Sequence, residues 1–223
     1  MTSNIVTQTL RVIPDVKRRH GVGGDVKQEV IVIVDTSPSM EGEKARQAQA
    51  ACEELNDELA KPVNNNGFVV SVIHFNETAI VANPWTLAPK LVGNIRALAI
   101  GAYTNMTAAL VLARSELESH KRDAGEQYLR PVVLFFTDGC FTDGGSPVEA
   151  GGSLRDKADL VTVAFGDDAD EVLLRELATS PQHFYRVNSG AELRMFMARA
   201  GMTMTMSMAQ RRDATHSLTL LNR

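Results

Sequence analysis

Residues 29–39 read Glu29-Val30-Ile31-Val32-Ile33-Val34-Asp35-Thr36-Ser37-Pro38-Ser39. Five β-branched apolar residues follow one another with no polar residue between them, the pattern of a strand covered on both faces. The run stops at an acid followed by two serines at alternate positions. Beyond it, Ala45, Ala48, Cys52, Leu55 and Leu59 recur at intervals of three and four, one face of a helix that ends before Pro62. A strand buried on both sides that leads straight into a helix is the first unit of an α/β fold.

The same alternation continues along the chain. Residues 68–75 read as a second strand, which Asn76-Glu77 turns into a short partner over 78–82. A short helix is expected within 87–99 and a longer one over 106–119. Residues 131–137 (PVVLFFT) and 160–165 (LVTVAF) are two more buried strands. A helix over 170–179, a short strand over 183–187 and a last helix from 191 to about 200 complete the order. The expected fold is α/β, a doubly wound, mostly parallel sheet with one antiparallel edge strand, in one domain over 29–210. Residues 1–28 are expected to be an N-terminal arm or an edge hairpin, interrupted by Pro14 and the glycines at 21, 23 and 24. Residues 211–223 are expected to be a disordered tail. Met202, Met204, Met206 and Met208 alternate, which reads as one face of a terminal strand or a plastic packing surface rather than a soft-metal site.

Composition excludes several classes of function. Lys and Arg number 23 against 27 Asp and Glu, for a net charge of −4, and no basic block exceeds Lys17-Arg18-Arg19. A nucleic-acid footprint is therefore not expected. The longest purely apolar run, residues 108–113, has six residues, far short of the ~20 of a spanning helix, and the first ten residues lack the layout of a signal peptide. Two cysteines, Cys52 and Cys140, make no disulfide framework, and both are expected to be buried, inert thiols. The expected location is cytoplasmic. Neither a Gly-x-Ser-x-Gly elbow nor a phosphate-binding Gly-x4-Gly-Lys-Ser/Thr loop occurs.

Ligands of such sheets sit beyond the carboxyl ends of the strands. Asp35, Ser37 and Ser39 lie there, as does Asp138, which follows the strand ending in Thr137; Thr104 sits in the loop before the helix over 106–119. Oxygen donors without thiolate or imidazole suit a hard divalent cation, above all Mg²⁺. Two carboxylates ~5 Å apart at an effective dielectric of ~20 repel by ~3 kcal/mol, which a dication would reverse. Composition alone would supply an Asp-x-Ser-x-Ser about 0.04 times in this chain. Each residue also has a local reading: Asp35 and Ser37 as helix caps, Asp138 as a turn residue, Thr104 as the cap of the helix that follows.

These residues resemble the von Willebrand factor A domain and its metal-ion-dependent adhesion site, whose Asp-x-Ser-x-Ser, loop Thr and later Asp fall on Asp35, Ser37, Ser39, Thr104 and Asp138. The resemblance spans about residues 28–210 and departs at Ala102-Tyr103, where a second glycine is common. Within the family, residues 131–143 look most like the bacterial tellurium-resistance-type proteins, small cytoplasmic proteins linked to metal-stress response. The resemblance implies a non-enzymatic module. Ser37, Ser39 and Thr104 would bind Mg²⁺ (or Mn²⁺ or Ca²⁺) directly, and Asp35 and Asp138 directly or through water. A partner protein would supply an Asp or Glu to the metal, contacting loops 36–42, 101–105 and 138–148, with Tyr103 and Phe141 as aromatic anchors. No nucleic acid and no membrane would be involved, and the oligomeric state is left open.

The competing expectation is a Mg²⁺-dependent phosphohydrolase resembling the haloacid dehalogenase superfamily. Asp35 would be its nucleophile, Thr137 its phosphate-binding hydroxyl and Lys157 its charge-steadying cation, with Asp167, Asp168 or Asp170 on the metal. Ser37 stands where that chemistry needs a general acid, and Ser39, Thr104 and Asp138 would have no task.

Overall fold

The β-branched run forms the centre of the sheet. The computed structural model describes residues 26–140, 142 and 145–221, so most of the expected N-terminal arm, along with Phe141, lies outside the described residues. Strand β1 is Val26–Asp35, followed by helix α1 (Glu43–Leu59), strand β2 (Phe68–Phe75) and strand β3 (Ala79–Leu87). Then come α2 (Ala88–Leu91), α3 (Met106–Ser119), β4 (Gln127–Tyr128), β5 (Val132–Thr137), α4 (Pro147–Arg155) and β6 (Asp159–Phe165). The chain continues with α5 (Glu171–Leu177), β7 (Phe184–Val187), α6 (Gly190–Ala209) and α7 (Thr215–Leu218). The strand order is β3-β2-β1-β5-β6-β7, with β4 beside the start of β1. Among the described residues only β2 and β3 run antiparallel. This is the doubly wound, mostly parallel sheet that the sequence predicts.

Strand alternation lets one continuous apolar run serve two cores. Val30, Val32 and Val34 face a cluster with Ala48, Cys52, Leu55, Leu193, Met197 and Met204 from α1 and α6. Ile31 and Ile33 face the other cluster, with Met106, Leu110, Leu154, Leu174 and Leu177 from α3, α4 and α5. Burial of the Cys52 thiol in the first cluster pushes its pKa up to about 12.

Besides the unexpected β4 and a β3 that runs on to Leu87, three parts of the chain differ from the expectations. Helix α4 has no clear signature in the sequence: Gly151-Gly152 interrupts it, and its apolar residues are few. The alternating methionines do not form a strand. They lie in α6, where Met204 and Met208 are buried while Met202 and Met206 are exposed. Residues at i and i+4 share a helix face, so four methionines two apart are two interleaved helical pairs. Nor are residues 211–221 a disordered tail. Ala214, Leu218 and Leu221 are buried in the cluster of α1 and α6, the hydroxyl of Tyr185 donates to the carbonyl of Leu218, and Asp213 accepts the Arg130 N–H at 2.7 Å.

Going along the chain, β2 is added on one side of β1 and β5 on the other. The pair β1/β5 is therefore the switch point, and the crevice of the fold opens beyond its carboxyl ends.

Candidate metal centre

Asp35 is the last residue of β1 and Asp138 directly follows β5. The two strands pair in parallel with Val34 opposite Phe136, which carries both acids to the same end of the sheet. Both are fully buried. The Ser37 N–H donates to Asp35 Oδ1 at 2.7 Å, curling the chain back over the strand end, and buried Met40 anchors the one-turn 3-10 segment Pro38–Met40. Ser37 Oγ and Ser39 Oγ are 3.0 Å apart, and Ser39 Oγ donates to Asp138 Oδ1 at 2.6 Å. The Thr137 hydroxyl donates to the other oxygen of Asp35. The Ser39 and Thr137 protons thus point at carboxylates, which turns oxygen lone pairs away from the acids.

The third loop is clamped from below. The carbonyl of Thr36 accepts the Gly101 N–H at 2.9 Å, and that of Asn76 accepts the Asn105 N–H at 2.7 Å. The Asn76 side chain meanwhile donates to the Thr36 hydroxyl at 3.1 Å. Gly101 is needed here, since a Cβ would lie 2.3 Å from Asn76 Nδ2. Thr104 is 5% exposed; its N–H donates to the Thr142 hydroxyl at 2.8 Å and its carbonyl accepts the Thr142 N–H at 3.0 Å. It is not the cap of α3: Asn105 takes that role, accepting from the Ala108 N–H.

Ser39, Thr104 and Asp138 line one open cavity of about 540 Å³, together with Tyr103, Cys140 and Asp168. Asp35 and Ser37 are buried, joined to it through Ser39. All five residues singled out from the sequence therefore meet at one place, the two acids, two serines and Thr104 around the β1/β5 strand ends. Tyr103 is 67% exposed at the rim. Cys140 is exposed, not buried as expected. Among the described residues no group of three or more His, Cys, Asp and Glu gathers as a metal site, so this donor set is one of hydroxyls and paired carboxylates. Such oxygens fit a hard divalent cation.

Electrostatics point the same way. Burial raises the Asp35 pKa above the ordinary carboxylate value, the hydrogen bonds from Thr137 and Ser37 oppose the rise, and the neighbouring charge of Asp138 adds to it. A cation between the two acids would offset both costs.

One functional neighbour escapes the sequence reading. Lys44, in the first turn of α1, pairs its ammonium with Asp138 Oδ2. It lies five residues past Ser39 on the helix that the site loop leads into, and that position is the only signal the sequence carries. The phosphohydrolase arrangement assembles only in part: Thr137 donates to Asp35 and Asp168 lines the cavity, but its other members lie elsewhere. Lys157 lies before β6, at the other end of the sheet, 3.7 Å from Glu118. Asp167 pairs with Arg186, and Asp170 caps α5.

A family model for the von Willebrand factor type A domain matches residues 29–199. The chain belongs to this family. It is 28% identical over 171 residues to human (Homo sapiens) inter-alpha-trypsin inhibitor heavy chain H6, a match that covers 69% of this chain and 12% of that protein. Among solved structures, the von Willebrand factor domain of the type V pili tip protein Mfa5 from Porphyromonas gingivalis superposes with a TM-score of 0.70 at 12% identity, covering 82% of this chain and 97% of that one. Proximal thread matrix protein 1 from the mussel byssus, solved with zinc in its MIDAS motif, gives a TM-score of 0.68 at 18% identity over 83% of this chain and 48% of that one. These structures share the fold. Among the described residues no helix is long and apolar enough to cross a membrane.

Proposed function

We propose that this von Willebrand factor type A domain is a metal-ion-dependent protein-binding module. Ser37, Ser39 and Thr104 would hold Mg²⁺ or Mn²⁺, with Asp35 and Asp138 supplying charge directly or through water. The observation that carries the reading is the chain of oxygens that runs from buried Ser37 through exposed Ser39 to buried Asp138, beside Asp35, at the wall of an open cavity. The mussel protein's zinc-occupied MIDAS motif lends it support.

Mg²⁺ prefers six oxygen ligands, and the chain offers five side chains here. A position open to the cavity would take an oxygen from a partner. A dication not fully neutralised favours an anionic one, so the partner is proposed to present an Asp or Glu. Exposed Tyr103 would pack against that partner at the rim, as aromatic residues do in interface cores. A role in tellurium resistance or metal stress, inside the cell, rests on the wording of residues 131–143 and is the narrowest form of the proposal.

Titration calorimetry on chelator-stripped protein tests the metal. One Mg²⁺ or Mn²⁺ site is expected, lost in Asp35→Ala and in Asp138→Ala; unchanged binding in both variants defeats the assignment. A pull-down with and without chelator tests the module: the partner should be retained by metal-loaded wild type alone.

A further inference from the structure

We propose that Lys44 is a resident counter-ion of this site, holding Asp138 in the metal-free protein and yielding it when a divalent cation binds. The inference rests on the proposed metal role of Asp138 and concerns how the site is loaded. Asp138 is fully buried, and its two oxygens have different partners: Ser39 Oγ donates to Oδ1, and the Lys44 ammonium donates to Oδ2. Lys44 is thus the basic side chain that neutralises one of two buried acids standing side by side.

The position of Lys44 is unfavourable without that acid. It occupies the first turn of the 17-residue helix α1, where the helix dipole disfavours a cation. The pairing with Asp138 is what offsets this. The ammonium also has a way out. The Lys44 side chain keeps 34% of its exposure, and the neighbouring loop presents Gly166, held at a φ of +89°, with no side chain on the flank where a Cβ would come within 3.8 Å of Nζ.

A dication on the hydroxyl oxygens would share Asp138 with the ammonium, and two cations on one carboxylate repel. Metal binding therefore displaces Lys44 toward solvent, and Lys44 lowers the affinity of the site. The same residue keeps the metal-free domain stable.

The test titrates Mg²⁺ and Mn²⁺ into chelator-stripped wild type, Lys44→Gln and Lys44→Met. Gln retains an N–H donor for Asp138 without the charge, so it decides the matter should Met fail to fold. Both variants are expected to bind at least tenfold more tightly than wild type and to melt lower without metal, the difference closing at saturation. In unmodified protein, acetylation of Lys44 by an amine-reactive ester should rise when Mg²⁺ is added. Equal or weaker binding in the variants, or labelling that does not rise although the wild type binds Mg²⁺, overturns the counter-ion role and leaves the metal site standing. Binding by the variants but not by wild type upholds both. Absence of binding in all three proteins overturns both.

Discussion

Burial of an ionised carboxylate is costly unless something compensates it, and Asp35 carries that cost with hydrogen bonds from Ser37 and Thr137 and, among the described residues, with no cation paired to it. Asp35→Asn is therefore expected to raise the thermal stability of the metal-free protein, by about 1 kcal/mol, while abolishing Mg²⁺ binding. Melting curves with chelator and with Mg²⁺ check both halves. Gly101→Ala tests the clamp under the Thr104 loop. Its Cβ would meet the Asn76 amide, and displacing that amide loosens Thr36 and the loop together. A loss of about 2 kcal/mol in denaturant titrations is expected, with weaker cation binding in calorimetry. The acids and serines were legible in the sequence because strand-end position and oxygen chemistry coincide. Thr104 was legible only in part, since a cap and a ligand look alike until Asn105 is seen to cap α3. Lys44 was illegible as a site residue: a lysine on an amphipathic helix reads as a solvated charge unless the structure shows what it reaches.

Elements built on unbroken β-branched runs announced themselves, since no helix needs Val-Ile-Val-Ile-Val and no exposed strand tolerates it. Helix α4 did not, because its residues pack through backbone proximity as much as through side chains. A Cβ at Gly151 would lie 2.7 Å from Leu177 Cδ2. Helix α6 was cut short because the methionine alternation suggested a period of two. Met204→Ala should cost about 3 kcal/mol and Met206→Ala less than about 0.5, a contrast that a two-sided strand would not give and that equilibrium unfolding measures directly. Strand β2 carries a pH dependence. His74 is 4% exposed, and its Nε2 has no hydrogen-bond partner among the described residues. Burial, aided by the charge of Arg96, lowers its pKa from 6.5 to about 4. A depressed folded pKa means that the unfolded chain takes up the proton first, so stability is fully present above pH 6.5 and falls as the pH drops toward 4. The expected loss is on the order of 3 kcal/mol, and His74→Leu should flatten that part of the stability–pH curve.

At the scale of the molecule, the sheet is closed at one end by residues 211–221. Besides the Tyr185 and Asp213 contacts, the His183 ring donates to the Thr215 carbonyl at 2.9 Å, and the Thr215 hydroxyl donates to Asp159. Ala214, Leu218 and Leu221 stand four and three apart, but three apolar positions in a short, Arg-rich segment are too few to signal docking. Deleting residues 211–223 uncovers three buried side chains and should cost about 4 kcal/mol, read from the shift in the urea midpoint. The pairing of β1 with β5 has a consequence for how the chain reaches this state. The two residues that face one another across it, Thr137 and Asp35, are 102 positions apart, and contacts of such separation form late and slowly. On the ribosome, β1 can meet β2 while β5 has yet to be synthesised, leaving one edge of the central strand bare. A dication then has no complete ligand set to bind, so it cannot seed folding. Mg²⁺ added to a refolding mixture should leave the folding rate unchanged and slow only unfolding.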